Sequence, residues 1–228
     1  MRSYGQYCGL ARALDVIGDR WVLLIVRELL EGPRRYADLL DGLPGIATNL
    51  LADRLRSMDA SGLVTRTEDG RYSLTPWAEG LSDVVYAMGR WALPLMARPP
   101  GEDEFRSRWM RHMVVVRFDG VDPRRGDLIV EIRTGDEPMS LVSSGGRVRM
   151  VHGRMDEPDL VLAGPPDGII GVIVGVITPA DAAARGVSMT GDARKLARLR
   201  PSPAAARHPT APPATTRPAA ADPSIAPR

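Results

Sequence analysis

Apolar positions in the first sixty residues recur every three or four places, the period of helices with one buried face. Leu10, Leu14 and Ile17 mark a first helix that Gly18 ends. Asp19 is placed to cap a second helix, with Trp21, Leu24, Ile25, Leu29 and Leu30 on its apolar face and Gly32-Pro33 as its stop. A short helix over 36–40 closes at the turn Gly42-Leu43-Pro44-Gly45, and residues 48–60 form a further helix with Leu51, Leu55 and Met58 on its buried stripe. The period then changes. Residues 63–67 and 71–74 read as two short strands around Asp69-Gly70, a strong hairpin signal. Thr75 and Pro76 restart a helix as N-cap and first helical residue. It carries Leu81, Val84, Val85, Met88, Ala92 and Leu95 for about four turns. This order of elements predicts a mainly α winged helix-turn-helix domain over 1–95.

Beyond it the pattern mixes periods. Residues 114–118, 128–133, 139–143, 147–151, 159–162 and 187–190 read as strands, and 166–177, 179–185 and 193–198 as helices, which makes 105–200 an α+β domain. Pro, Gly and acidic residues interrupt the pattern between the two, so 96–104 reads as a linker. Residues 201–228 hold eight Pro and nine Ala, with Ile225 the sole large apolar residue, and read as a disordered tail.

The charge changes what this pattern implies. A pI near 9.0 invites a nucleic-acid reading. Yet residues 1–98 hold 12 Arg and 12 acids, residues 99–200 hold 15 basic and 15 acidic residues, and the tail holds three Arg and one Asp. The excess belongs to the tail, and a case for DNA rests on where individual arginines fall. A lone cysteine, Cys8, excludes an internal disulfide framework. The longest apolar run, Ile169 to Ile177, falls far short of the roughly 20 residues that span a bilayer, so a cytoplasmic protein without a membrane partner is expected. His112, His152 and His208 stand apart from one another, with neither metal-ligand spacing nor a phosphate-cradling glycine loop, which predicts no enzyme, no metal and no cofactor.

In a winged helix-turn-helix the helix from Thr48 faces the major groove. With its apolar stripe buried, it presents Thr48, Asn49, Ala52, Asp53 and Arg56. Asn can read adenine and Arg guanine, each in bidentate fashion, whereas Asp53 repels phosphate unless paired with an arginine or aimed at cytosine. Arg34 and Arg35 precede the short helix, and Arg66 and Arg71 lie on the wing; each is either a phosphate contact or a solvated surface charge. Arg54, at the edge of the buried stripe, is as well placed for an ion pair as for DNA.

Cys8 with Ala13-Leu14-Asp15-Val16-Ile17-Gly18-Asp19-Arg20-Trp21, then Leu30-Glu31-Gly32-Pro33-Arg34-Arg35-Tyr36-Ala37-Asp38-Leu39, Gly45-Ile46-Ala47, Leu51, Arg54-Leu55, Gly62-Leu63-Val64 and Tyr72-Ser73-Leu74-Thr75-Pro76 resembles the HxlR family of bacterial transcriptional regulators over residues 7–95. The resemblance implies a homodimer on a palindromic operator of double-stranded DNA, with the helix after the wing, through Leu81, Val84, Val85, Met88 and Leu95, in the dimer interface. Ala47 departs from the family's usual Ser at the recognition-helix N-cap, which leaves the helix start at 47 or 48. By position Cys8 matches a cysteine that senses oxidants or quinones in some members; the other reading is a small apolar residue packed under the first helix.

Asp159-Leu160-Val161-Leu162-Ala163-Gly164, Ile169-Ile170-Gly171, Thr178 to Gly186 and Thr190-Gly191-Asp192 resemble the C-terminal half of sterol-carrier-protein-like domains. That family encloses an apolar tunnel for lipids and other hydrophobic molecules, so the resemblance implies a hydrophobic small-molecule effector. Trp109, Phe118, Ile169, Ile170, Ile173 and Val176 are the residues expected near the cavity, or else plain core. The competing function is a hydrophobic small-molecule or lipid carrier that uses the helical domain only to dimerise.

Overall fold

The computed structural model describes residues 3–92, 95, 101–118 and 121–200. Most of the expected linker (96–100) and all of the Pro/Ala-rich tail lie outside the described residues. The helical repeat of the first half becomes α1 (Gly9–Ile17), α2 (Val22–Leu29), α3 (Tyr36–Gly42) and α4 (Thr48–Ala60). The wing is β1 (Val64–Arg66) paired antiparallel with β2 (Tyr72–Leu74), and Gly70 takes the positive φ (78°) of its turn. Then come α5 (Pro76–Glu79) and α6 (Leu81–Ala92).

Three details differ from the sequence expectation. Asp19 does not cap α2: the residue before that helix is Trp21, in the left-handed region at φ 83°, and Asp19 instead pairs with Arg54 at 3.1 Å. Leu24 stands exposed while Val22 and Val26 are buried. The single long helix after the wing breaks at Gly80, whose N–H turns back to Trp77 and Ala78. Thr75 does cap α5, its hydroxyl accepting from the Ala78 N–H at 3.2 Å. Ala47 is the N-cap of α4, without a side-chain bond, and Thr48 is the first helical residue.

Residues 114–118 are not a strand. They belong to α7 (Met110–Arg117), where Met110, Val114 and Phe118 fall at i, i+4 and i+8 and bury together. Burial on one helical face overrides the β preference of the valine run. A five-stranded sheet follows in the order β5-β4-β3-β6-β7, from β3 (Leu128–Thr134), β4 (Glu137–Ser144), β5 (Arg147–His152), β6 (Leu160–Ala163) and β7 (Ser188–Gly191). Only the β3–β6 pairing is parallel. Alternate residues (Leu128, Val130, Ile132, Met139, Leu141, Met150, Leu160 and Leu162) share one core with α7 and α8 (Pro166–Val174). α9 (Pro179–Ala184) precedes β7, and residues 193–199 close the unit as a 3-10 turn rather than an α-helix. The helical N-terminal unit buries a separate core around Ile25, Leu39, Leu51, Leu55 and Met58.

Candidate nucleic-acid interface

Leu51, Leu55 and Met58 are each about 1% exposed or less, which fixes the rotation of α4 about its own axis. The opposite face follows from that rotation: Thr48, Asn49, Asp53 and Arg56 are exposed and Ala52 half-buried. Two bonds outside the core set its tilt. The Tyr36 hydroxyl of α3 donates to the Thr48 carbonyl at 2.6 Å, and Arg54 ties α4 to the α1–α2 corner through Asp19 and the Arg20 carbonyl (3.2 Å). Arg54 is thus a structural clamp and leaves the candidate DNA face.

The wing gains a third rung that sequence reasoning missed. Arg34 and Tyr72 exchange both backbone hydrogen bonds, at 2.9 and 2.8 Å, so the segment before α3 runs beside β2. This sets Arg34 and Arg35 next to the hairpin. Asp38 holds the start of α3 by accepting from the Arg35 N–H at 3.0 Å. Arg66 lies over the Tyr72 ring at 4.6 Å and donates to its hydroxyl at 2.6 Å. The arginines and acids are interleaved rather than segregated: Arg56 pairs with Asp53 and Arg71 with Asp69 (2.7 Å). The Thr67 hydroxyl, followed by Arg71, holds the Asp69 carboxyl below the usual carboxylate range.

The apolar stripe of α6 divides. Leu81 and Val85, expected in a dimer interface, are half-buried against the N-terminal core. Val84, Met88 and Trp91 of α6 are exposed, as are Leu95 beyond that helix and Tyr7, Leu10 and Leu14 at the N-terminus. Cys8 is exposed at the N-cap of α1, where the backbone N–H groups of Ala11 and then Leu10 lower its thiol pKa. The segment before it is held by Asp15, which accepts from the Tyr4 N–H and the Ser3 hydroxyl, both at 2.8 Å.

In the C-terminal unit a cavity of about 480 Å³ is lined by Phe118, Ile173 and Val176 together with Ile177, Leu196 and Leu199. Its polar groups are Thr178, Asp181, Arg194 and Arg200. Of the residues expected there, Ile169 and Ile170 are buried core side chains outside the lining. Trp109 is elsewhere altogether. Its indole Nε1–H, in the turn just before α7, donates to Glu28 of α2 at 2.9 Å, at the contact between the two units.

That contact is the feature the sequence concealed. Glu28 is 3% exposed and its carboxylate accepts from Arg27 (2.8 Å), Arg108 (3.3 Å) and Trp109. Arg111 and His112 face Glu31, the latter at 3.6 Å, and Arg106 and Arg108 face Asp41 at 3.6 and 3.8 Å. His112 is pushed down to about 4, first by burial and then by the Arg27 charge. The one available signal was an acid three positions after Ile25 on a buried stripe. Among the described residues no group of three or more His, Cys, Asp or Glu is arranged to hold a metal ion, and no helix is long and apolar enough to cross a membrane.

Residues 16–98 match the HxlR-like helix-turn-helix family. The chain is similar to the HTH-type transcriptional regulator sll1512 of Synechocystis sp., at 34% identity over 37% of this chain and 67% of that protein. It is also similar to the HTH-type transcriptional regulator YvaP of Bacillus subtilis, at 31% identity over 36% of this chain and 81% of that one. Among solved structures it is similar to the quinone-bound YodB from B. subtilis, at 31% identity and a TM-score of 0.35, covering 37% of this chain and 96% of the other. With its α3–turn–α4 unit and wing, the chain belongs to the HxlR-like helix-turn-helix family of transcriptional regulators.

Proposed function

We propose that the protein is a homodimeric regulator that reads a palindromic operator with α4 and takes a hydrophobic effector in a sterol-carrier-like C-terminal unit. The observation that carries the reading is the outward face of α4, with Thr48, Asn49, Asp53 and Arg56 exposed and Ala52 half-buried among them, beside Arg35 and the wing. Asn49 and Arg56 read base edges, while Arg34, Arg35, Arg66 and Arg71 contact phosphates. Val84, Met88 and Leu95 join two copies, with Leu81 and Val85 bracing the same helix from within. The dimer then sets two recognition helices one DNA turn apart, roughly 34–36 Å. Four to eight phosphate contacts per dimer give a log–log salt slope of about −4 to −7.

A gel shift on DNA upstream of the protein's own gene, run across a salt series, tests this. Wild type binds with that slope, and Arg35→Ala/Arg71→Ala lowers both affinity and slope. Wild type that fails to bind leaves the carrier reading, which the apolar cavity supports. In the dimer Cys8 acts as a thiol that forms adducts with electrophiles, since it combines exposure with a lowered pKa. Iodoacetamide labelling with a midpoint at or above that of free cysteine removes this part of the proposal.

A further inference from the structure

Helix α7 is engaged at both of its ends. At its C-terminus Phe118, 4% exposed, both caps the helix and lines the apolar cavity. At and just before its N-terminus Arg108, Trp109, Arg111 and His112 grip Glu28 of α2 and Glu31 just beyond that helix. Between these ends it packs along α6, where the Tyr86 and His112 rings lie 6.1 Å apart. Eight residues make a helix about 12 Å long, too short to absorb a displacement by bending. A shift at Phe118 is therefore passed along α7 to its neighbours, which include α6, β5 and the Glu28 contact with α2.

The grip is fitted rather than incidental. A methyl group on Gly42 would come within 2.5 Å of the Glu28 carboxylate and 2.9 Å of the Arg108 guanidinium. Gly42 ends α3, the helix that leads into the recognition turn. The Arg27 guanidinium lies 4.5 Å over the Trp109 ring and also reaches the Gly42 carbonyl at 3.4 Å. One buried carboxylate thus joins α2, the end of α3 and the turn that leads into α7. Charges held in this way have few alternative arrangements, because an unpaired one is costly away from water.

We propose that α7 is the element through which occupancy of the cavity changes operator binding, with Glu28 as its point of attachment to the DNA-binding unit. This rests on the effector reading above and adds the route. Filling the cavity displaces Phe118, α7 moves as a rod, and its N-terminal turn carries α2 and the end of α3 with it. The geometry of the recognition helices in the dimer then differs between the empty and filled states. The ligand shifts the equilibrium only by the difference in its affinity for the two.

The test uses the full chain and 1-anilinonaphthalene-8-sulfonate as an apolar probe of the cavity, with operator dissociation constants measured with and without saturating probe. In wild type the probe shifts operator affinity by roughly five- to 150-fold, the usual span of such couplings. In Glu28→Gln and in Trp109→Phe, which keeps the ring under Arg27 but loses the bond to Glu28, the shift falls below about twofold. Probe binding and probe-free operator binding both remain. Trp109→Phe keeps the test valid if the charge change unfolds Glu28→Gln. Equal shifts in wild type and both variants overturn the α7 route and leave the effector reading intact. No probe binding, or no shift in wild type, overturns both.

Discussion

Acidification should loosen the two units from each other before it unfolds either, and His112 sets the magnitude. The groups facing this imidazole are Glu31, Arg27, Glu28, Tyr86 and its own neighbour Arg111. Glu31 is already engaged by Arg111, so its charge does little to favour imidazolium, and burial dominates. Docked, His112 titrates near 4; with the units apart it returns to 6.5. Its pKa is lowered on docking, so the neutral form is the docked one. The associated stability is present above pH 6.5 and is lost as the pH falls toward 4, because only the separated state takes up the proton. Linkage gives a loss of about 2 kcal/mol by pH 5 and about 3 kcal/mol by pH 4. Carboxylates elsewhere add their own pH dependence, so the measurement is a difference: urea denaturation of wild type and His112→Gln at pH 7 and pH 5. Wild type should lose about 2 kcal/mol more than the variant over that interval. Equal losses would refute the reasoning, since they would mean that His112 is solvated or already charged in the folded chain.

Leu51→Ala removes a side chain with no exposed surface from the back of α4 and should cost about 2–5 kcal/mol in urea denaturation, with operator binding lost in proportion. Asp53→Ala frees Arg56 from its ion pair, so non-specific DNA affinity should rise and the salt slope steepen by about one per added phosphate contact in filter binding. Met88→Asp places a charge in the exposed apolar strip of α6. If the proposed dimer forms through this strip, the variant should sediment as a monomer in analytical ultracentrifugation with a thermal melt that still shows a folded chain.

The elements of the N-terminal unit were legible because each carries its own local signal. Asp69-Gly70 fixes the hairpin, Thr75-Pro76 fixes a helix start, and Leu51, Leu55 and Met58 fix the face of α4. What could not be read was set by residues far apart in the chain. Asp19 has the chemistry of an N-cap, but Arg54, 35 positions on, takes its carboxylate. The valines of 114–116 have strand propensity, yet Met110, Val114 and Phe118 form one helical face that buries against the later strands, among them Val130 and Leu141. Trp109 looked like cavity lining because it is large and apolar. Its indole N–H needs a partner when buried, and Glu28, 81 positions earlier, supplies it.

The near-neutral balance of each unit acquires meaning from where its charges are paired. Around α4 and the wing the pairs are exposed: Arg56 with Asp53, and Arg71 with Asp69. Such pairs contribute about 0–1 kcal/mol, so a phosphate can take over the arginine at little cost. The acid left behind still repels the backbone, which penalises any pose that does not turn it toward a donor. For the proposed DNA face this predicts weak non-specific affinity with a geometric filter. Around Glu28 the pairs are buried, and no ligand or salt ion can replace a partner without leaving a charge stranded. On the proposed function, an exchangeable set of charges at α4 and the wing serves contact, and a fixed set behind α2 serves transmission. Glu28 and Asp53 therefore predict opposite responses to salt: operator affinity should change with salt through Asp53 and Arg56, while the coupling carried by Glu28 should stay constant across the same series.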